Sequence, residues 1–176
     1  MKIIITGALG HIGSGLVPFL TKNINNADII IIDNLRTQRF NSLFSLPSDG
    51  KYEFINSDLL NLDLNQQFKD IDLVIHLAAI TDAAASFKNK HEVENHNFLV
   101  TKRVADACAH NDVSMIFLST TSVYGTSKDI VYENRIEDLN PQSPYAKTKL
   151  KEENYLAKFA KRNNFKMIIC RFGTIY

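Results

Sequence analysis

A chain of 176 residues, 45% of them hydrophobic, is long enough to bury one substantial core and points to a single globular domain. Its 20 Lys and Arg nearly cancel its 19 Asp and Glu, leaving a formal net charge of +1, which excludes the strong field of a polyanion binder and makes nucleic acid an unexpected partner. No apolar run approaches the roughly 18 residues of a membrane span and no leader-like segment precedes the first strand, while the 2 cysteines, Cys108 and Cys170, sit in apolar segments as reduced thiols would; the expectation is a cytoplasmic protein with neither membrane span nor disulfide framework.

In chain order, an apolar strand over 2–6 is followed by glycines at 7, 10 and 13 and a helix over 13–22. Strands over 28–33 and 52–56, a short helix over 62–68, a strand over 73–77 and a helix over 92–110 come next. A strand over 114–119, a helix over 144–162 and a strand over 166–172 complete the pattern. Ser143 is the expected N-cap of the last helix, with Pro144 at its first position. Strands alternating with helices, several strands being unbroken Ile/Val/Leu runs, predict an α/β fold: a doubly wound parallel sheet of six or more strands with helices on both faces. The two longest connections, 34–50 and 121–142, follow strand carboxyl ends, where such sheets bind ligands.

The stretch "TGALGHIG" places its glycines as G-x-x-G-x-x-G, one residue longer than the common dinucleotide fingerprint. Its context is specific, because the triplet joins a strand to a helix and the next strand ends in Asp33, about 20 residues beyond Gly13. Backbone N–H groups at that helix start can approach a pyrophosphate closely only where side chains are absent, hence Gly7, Gly10 and Gly13. Asp33 would accept from ribose hydroxyls and repel a 2′-phosphate, so NAD is expected over NADP, with nearby Arg36 and Arg39 pulling the other way.

Tyr145 and Lys149 lie four apart on a predicted helix and so share one face. Tyr124 and Lys128 have the same spacing but run into the turn-like Gly125, Thr126 and Ser127, which favours the first pair. An ammonium beside a phenol favours the phenolate, and a positive nicotinamide would do the same, which predicts a lowered tyrosine pKa. The 5 histidines and 2 cysteines show no metal-ligand spacing.

Together, "TGALGHIG", "IIIDN", "SDLL", "IHLAA", "LSTTSVYG" and "SPYAKTK" resemble, in order and along almost the whole chain, the extended short-chain dehydrogenase/reductase family, in particular its NAD-dependent sugar-nucleotide epimerases and dehydratases of the UDP-glucose 4-epimerase type. The resemblance implies a Rossmann domain over 1–176. In it Gly7, Gly10, His11, Ile12 and Gly13 hold the pyrophosphate, Asp33 and Asn34 the adenosine ribose, and Asp58 and Leu59 the adenine. Leu77, Ala78 and Ala79 take the nicotinamide side, with Asn97 near the cofactor. It further implies Tyr145 as catalytic acid/base, Lys149 on the nicotinamide ribose and Thr120 on the substrate, a nucleotide sugar. The bland alternative for Thr120 is a strand-end threonine that satisfies backbone groups. Thr121 and Ser122 stand where the family's dehydratases carry an acidic pair, which favours epimerisation over dehydration. "CRFGTIY" resembles the last Rossmann strand, after which members continue with a substrate-binding portion. The expectation is therefore a truncated, NAD-binding chain with negligible turnover, alternatively a cofactor-binding module or an NAD(P)-dependent reductase or dehydratase. Apolar stripes on the helices over 92–110 and 144–162 fit the homodimer common in the family, or simply face the sheet.

Overall fold

The computed structural model of the chain describes residues 1–81, 90–126 and 130–173, the side chains of 90–93 excepted. Lys128 of the rejected Tyr/Lys pair lies outside the described residues. Among them, six parallel strands form one sheet in the order β3-β2-β1-β4-β5-β6: β1 (Lys2–Thr6), β2 (Asp28–Asp33), β3 (Lys51–Asn56), β4 (Leu73–His76), β5 (Ser114–Thr120) and β6 (Met167–Phe172). The order reverses between β1 and β4, and this switch point opens the crevice beyond the strand carboxyl ends.

Successive residues of a strand point to opposite faces, so the unbroken isoleucine runs of β1 and β2 feed two cores at once. Ile3, Ile5, Ile29 and Ile31 pack with Val17 of α1 (His11–Asn23) on one face. Ile4, Ile30, Ile32, Val74 and Phe117 pack on the other face with Val100 and Val104 of α3 (Lys90–His110) and Leu156 of α4 (Pro144–Asn163). Full burial of each such side chain stabilises the fold by about 2 kcal/mol relative to an exposed one. β3 is an edge strand, and Lys51, Glu53, Phe54 and Asn56 stay exposed on it. Cys108 and Cys170 are free thiols, the first fully buried.

Three helix starts differ from the sequence pattern: α3 begins at Lys90 rather than at residue 92, and the other two shift for a local reason. α1 begins at His11 rather than at residue 13, because extended Gly10 (ψ 179°) already turns the chain into the helix. The short helix α2 covers only Leu64–Gln67, because the Asp63 carboxylate accepts from Gln66 N–H and sets its first turn one residue further on. α4 starts as expected: Ser143 Oγ accepts from Ala146 N–H (3.1 Å), and Pro144 occupies the first turn, where its missing N–H costs nothing. The two long connections carry 3-10 turns at Phe40–Ser45, Thr121–Tyr124 and Ile136–Asp138.

Candidate active site

The carboxyl ends of the strands enclose a cavity of about 530 Å³. The loop after β1 forms its floor. Gly7 has φ +66°, and a Cβ there would meet the Ala78 backbone at 2.7 Å; one at Gly13 would meet Ala8 O at 2.4 Å. These two glycines therefore serve the protein's own packing, a difference from the expectation that all three clear the way for a ligand. Gly10 has room, its Cβ meeting only Gly7 O at 3.1 Å, and it lines the cavity together with His11, Ile12 and the unsubstituted faces of Gly7 and Gly13. No side chain caps α1 at Gly10, so its first-turn N–H groups and positive dipole end offer a seat for an anion.

Asp33 anchors this loop. Its Oδ2 accepts from Leu9 N–H (3.1 Å) and its Oδ1 from Leu35 N–H (2.9 Å), which leaves about half of the four acceptor sites of a carboxylate for a ligand in the cavity it lines. Asn34 and Leu59 line the same cavity, and Asn34 Nδ2 donates to Asp58 Oδ2 (2.9 Å). Asp58 Oδ1 accepts from Leu60 N–H (2.9 Å), and His96 Nε2 lies 3.4 Å from Oδ2. Burial pushes the Asp58 carboxyl up, but the hydrogen bonds from Leu60, Asn34 and His96 outweigh it and hold it below the usual carboxylate range. His96, absent from the sequence reading, carried no motif; only its place one residue before Asn97 on a cavity-side helix pointed to it.

On the β4 side, Leu77, Ala78 and Ala79 line the cavity. Asn97 does not; it is buried and clamps the segment that follows, accepting from Ile80 N–H (2.8 Å) and donating to Ile80 O (3.0 Å). On the β5 side, Thr120 and half-buried Tyr145 face the same space. Thr120 Oγ1 accepts from Ser122 N–H (3.1 Å) and donates to Ser122 Oγ (3.1 Å), the capping role given as its bland alternative, with one lone pair still free. Tyr124 is buried and its hydroxyl accepts from Arg171 Nη1 (2.7 Å), in a cluster where Arg171 pairs with Glu153 (2.6 Å) and Ser119 donates to Glu153.

Lys149 is turned away from the cavity. Only 3% exposed, it sets its Nζ 3.2 Å from Glu152 Oε2 and 4.4 Å from the centre of the Phe117 ring. Glu152 is the end of a buried row of polar groups. Thr101 Oγ1 donates to Glu152 Oε1 (2.7 Å), so it must accept from His76 Nε2–H (3.2 Å). A neutral His76 then accepts at Nδ1 from Thr6 Oγ1 (2.7 Å), and Thr6 accepts in turn from Ala78 N–H (3.4 Å). Every hydrogen bond in the row points the same way, from the cavity wall at Ala78 down to the carboxylate. The signal in the sequence was a polar set, Thr148, Lys149, Glu152 and Glu153, on the helix stripe that faces the sheet, where apolar residues are the rule.

Two titrations follow. Burial raises the Tyr145 phenol, the Glu152 charge raises it further, and it stands at about 12; in the cofactor-free chain the expected lowering by Lys149 is not realised. Burial, then the Lys149 charge, lowers His76 from 6.5 to about 3. Between those values the unfolded chain binds a proton that the native chain refuses, so stability present above pH 6.5 is lost as pH falls, by about 1.4 kcal/mol per pH unit. Urea unfolding of the wild type between about pH 6 and pH 5 is expected to show that additional slope over His76→Asn; parallel lines would mean that His76 is not held neutral.

A parallel sheet in this order, with a glycine loop and cavity at its switch point, defines a doubly wound protein of the dinucleotide-binding class. Residues 3–176 match the model of the NAD dependent epimerase/dehydratase family, and the chain belongs to it. It is 34% identical over its full length to a Bacillus subtilis protein named as an uncharacterized UDP-glucose epimerase, of which it covers 57%. It is 31% identical over 99% of its length to a dTDP-D-glucose 4,6-dehydratase of Dictyostelium discoideum, of which it covers 44%. Among solved structures, a UDP-glucuronic acid 4-epimerase of Bacillus cereus, in complex with UDP-glucuronic acid and NAD, matches with a TM-score of 0.91 at 34% identity, over 100% of this chain and 57% of that one. The family is NAD-dependent and such neighbours were crystallised with NAD. The chain spans about half the length of the curated relatives it matches. No described helix is long and apolar enough to cross a membrane.

Proposed function

We propose that the chain is the cofactor-binding and catalytic unit of a UDP-sugar 4-epimerase. The observation that carries this reading is that Tyr145 and Thr120 line the same cavity as Gly10 and Asp33, so an acid/base hydroxyl and a dinucleotide cradle share one space. Gly10 and the start of α1 would hold the pyrophosphate, Asp33 with Asn34 the adenosine ribose, Asp58 with Leu59 the adenine, and Leu77 to Ala79 the nicotinamide side. NAD, when bound, supplies reversible hydride storage. Tyr145 would take the proton of the sugar hydroxyl and later return it, while the free lone pair of Thr120 would hold that hydroxyl in place. A phenol at about 12 stays protonated at neutral pH and cannot accept a proton, so positive charge must gather beside it for this step; a nicotinamide cation and the Lys149 ammonium, the latter paired with Glu152, are the groups that would contribute it.

Thr121 and Ser122, both lining the cavity, favour epimerisation over dehydration, because loss of water requires a further acid and base that these side chains do not supply. A second reading, a cofactor-binding unit without turnover of its own, rests on the chain spanning 57% of relatives such as the Bacillus subtilis protein: binding energy from the distant nucleotide of the substrate is what positions the sugar. One experiment separates the two. Calorimetry is expected to show NAD binding at least about tenfold tighter than NADP, because the Asp33 carboxylate opposes a 2′-phosphate; equal affinities would mean that Arg36 or Arg39 outweighs it. Incubation with UDP-glucose, UDP-glucuronic acid and UDP-N-acetylglucosamine then decides: formation of the 4-epimer of one of them selects the first reading. NAD binding with no epimer formed selects the second reading.

A further inference from the structure

We infer that Glu152 is a positioning residue for the reaction: it holds the Lys149 ammonium out of the cavity, against the Phe117 ring, and cancels its charge toward Tyr145. The inference rests on the roles proposed above for Tyr145 and Lys149. Its basis is geometric. Lys149 and Glu152 are 3% and 0% exposed, their charged atoms 3.2 Å apart, and they stand about one and about two helical turns along α4 from Tyr145. At such depth neither charge is screened by water, so each acts at full strength on its neighbours and the two offset each other at a third group.

Glu152 is held in turn. Its other oxygen receives the Thr101 hydroxyl (2.7 Å) at the end of the row that starts at Ala78, and each member, Thr6, His76 and Thr101, is at most 1% exposed. Those bonds fix the carboxylate, and the carboxylate fixes the ammonium. Glu152 is the ionisable group whose charge acts on Tyr145; of the others buried nearby along these elements, Lys149 pairs with Glu152 (3.2 Å), His76 of β4 stays neutral, and Glu153 of α4 pairs with Arg171 of β6 (2.6 Å). The elevated phenol of Tyr145 accords with an ammonium whose charge has been cancelled. The consequence is a base that stays protonated and is released only when further positive charge arrives beside it.

The test is a proton titration of the cofactor-free chain, which does not depend on turnover. Tyrosine labelled with 13C at Cζ, with Tyr145 assigned through Tyr145→Phe, reports each phenol by NMR. Glu152→Gln keeps the shape and an acceptor for Thr101 but removes the charge; the Tyr145 midpoint should fall by about one pH unit or more. Glu152→Asp should leave it near the wild-type value. Equal shifts in both variants, or none in Glu152→Gln, would overturn the inference. Should Glu152→Gln fail to fold with Lys149 left uncompensated, Lys149→Met combined with Glu152→Gln removes both charges of the pair together. A midpoint within a few tenths of a unit of the wild type then supports mutual cancellation, and a shift of about one unit or more refutes it. A titration that contradicts the inference leaves the proposed function standing, whereas absent epimerisation leaves the titration informative.

Discussion

Replacing Gly10 by valine is expected to leave a folded chain whose affinity for NAD falls by about 100-fold, close to 2.7 kcal/mol. A Cβ at Gly10 meets only Gly7 O at 3.1 Å, so the fold can absorb the new side chain with a small shift. The isopropyl group then occupies the space above the first turn of α1, where N–H groups must come within hydrogen-bond reach of a pyrophosphate. Gly13→Val is the control with the opposite signature. Its Cβ would stand 2.4 Å from Ala8 O and 2.6 Å from Ala8 Cα, backbone atoms that cannot move without displacing β1, so a loss of stability of several kcal/mol is expected. Thermal unfolding beside calorimetry distinguishes the two outcomes. NAD binding by a folded Gly10→Val chain at wild-type strength would remove this loop from the cofactor site.

Turnover of a UDP-sugar is expected to fall about a thousandfold in Tyr145→Phe, the usual scale for loss of a general acid/base, with NAD affinity little changed. Phenylalanine keeps the ring against the cavity wall and removes only the group that would exchange a proton with the sugar hydroxyl. Tyr124→Phe supplies the contrast. That hydroxyl accepts from Arg171 (2.7 Å) in a buried cluster, so its loss should cost about 1 kcal/mol of stability and leave the chemistry in place. A stopped assay of epimer formation, with unfolding curves of both variants, reads the difference, and undiminished turnover in Tyr145→Phe would refute the acid/base assignment.

The sequence by itself determined the fold class, because each of its signals is local. The isoleucine runs of β1 and β2 can only be strands covered on both faces, Ser143 and Pro144 can only open a helix, and a glycine loop between a strand and a helix marks the dinucleotide end of the sheet. It also singled out Tyr145 at the start of a helix, and Thr120 through the resemblance to the family; both line the cavity. Tertiary structure alone decided what lies beneath that edge. Residue spacing says which side chains share a helix face, not which atoms from other elements meet them. That Lys149 turns inward to Glu152 rather than lining the cavity depends on Thr101 of α3, His76 of β4 and Thr6 of β1 arriving at one point. The same holds for the glycines, whose spacing was legible but whose division of labour was not: the backbones of Ala78 and Ala8 claim Gly7 and Gly13, and only Gly10 is left to make room in the cavity. Contacts between residues up to 72 positions apart are set by packing, and no window along the chain contains them.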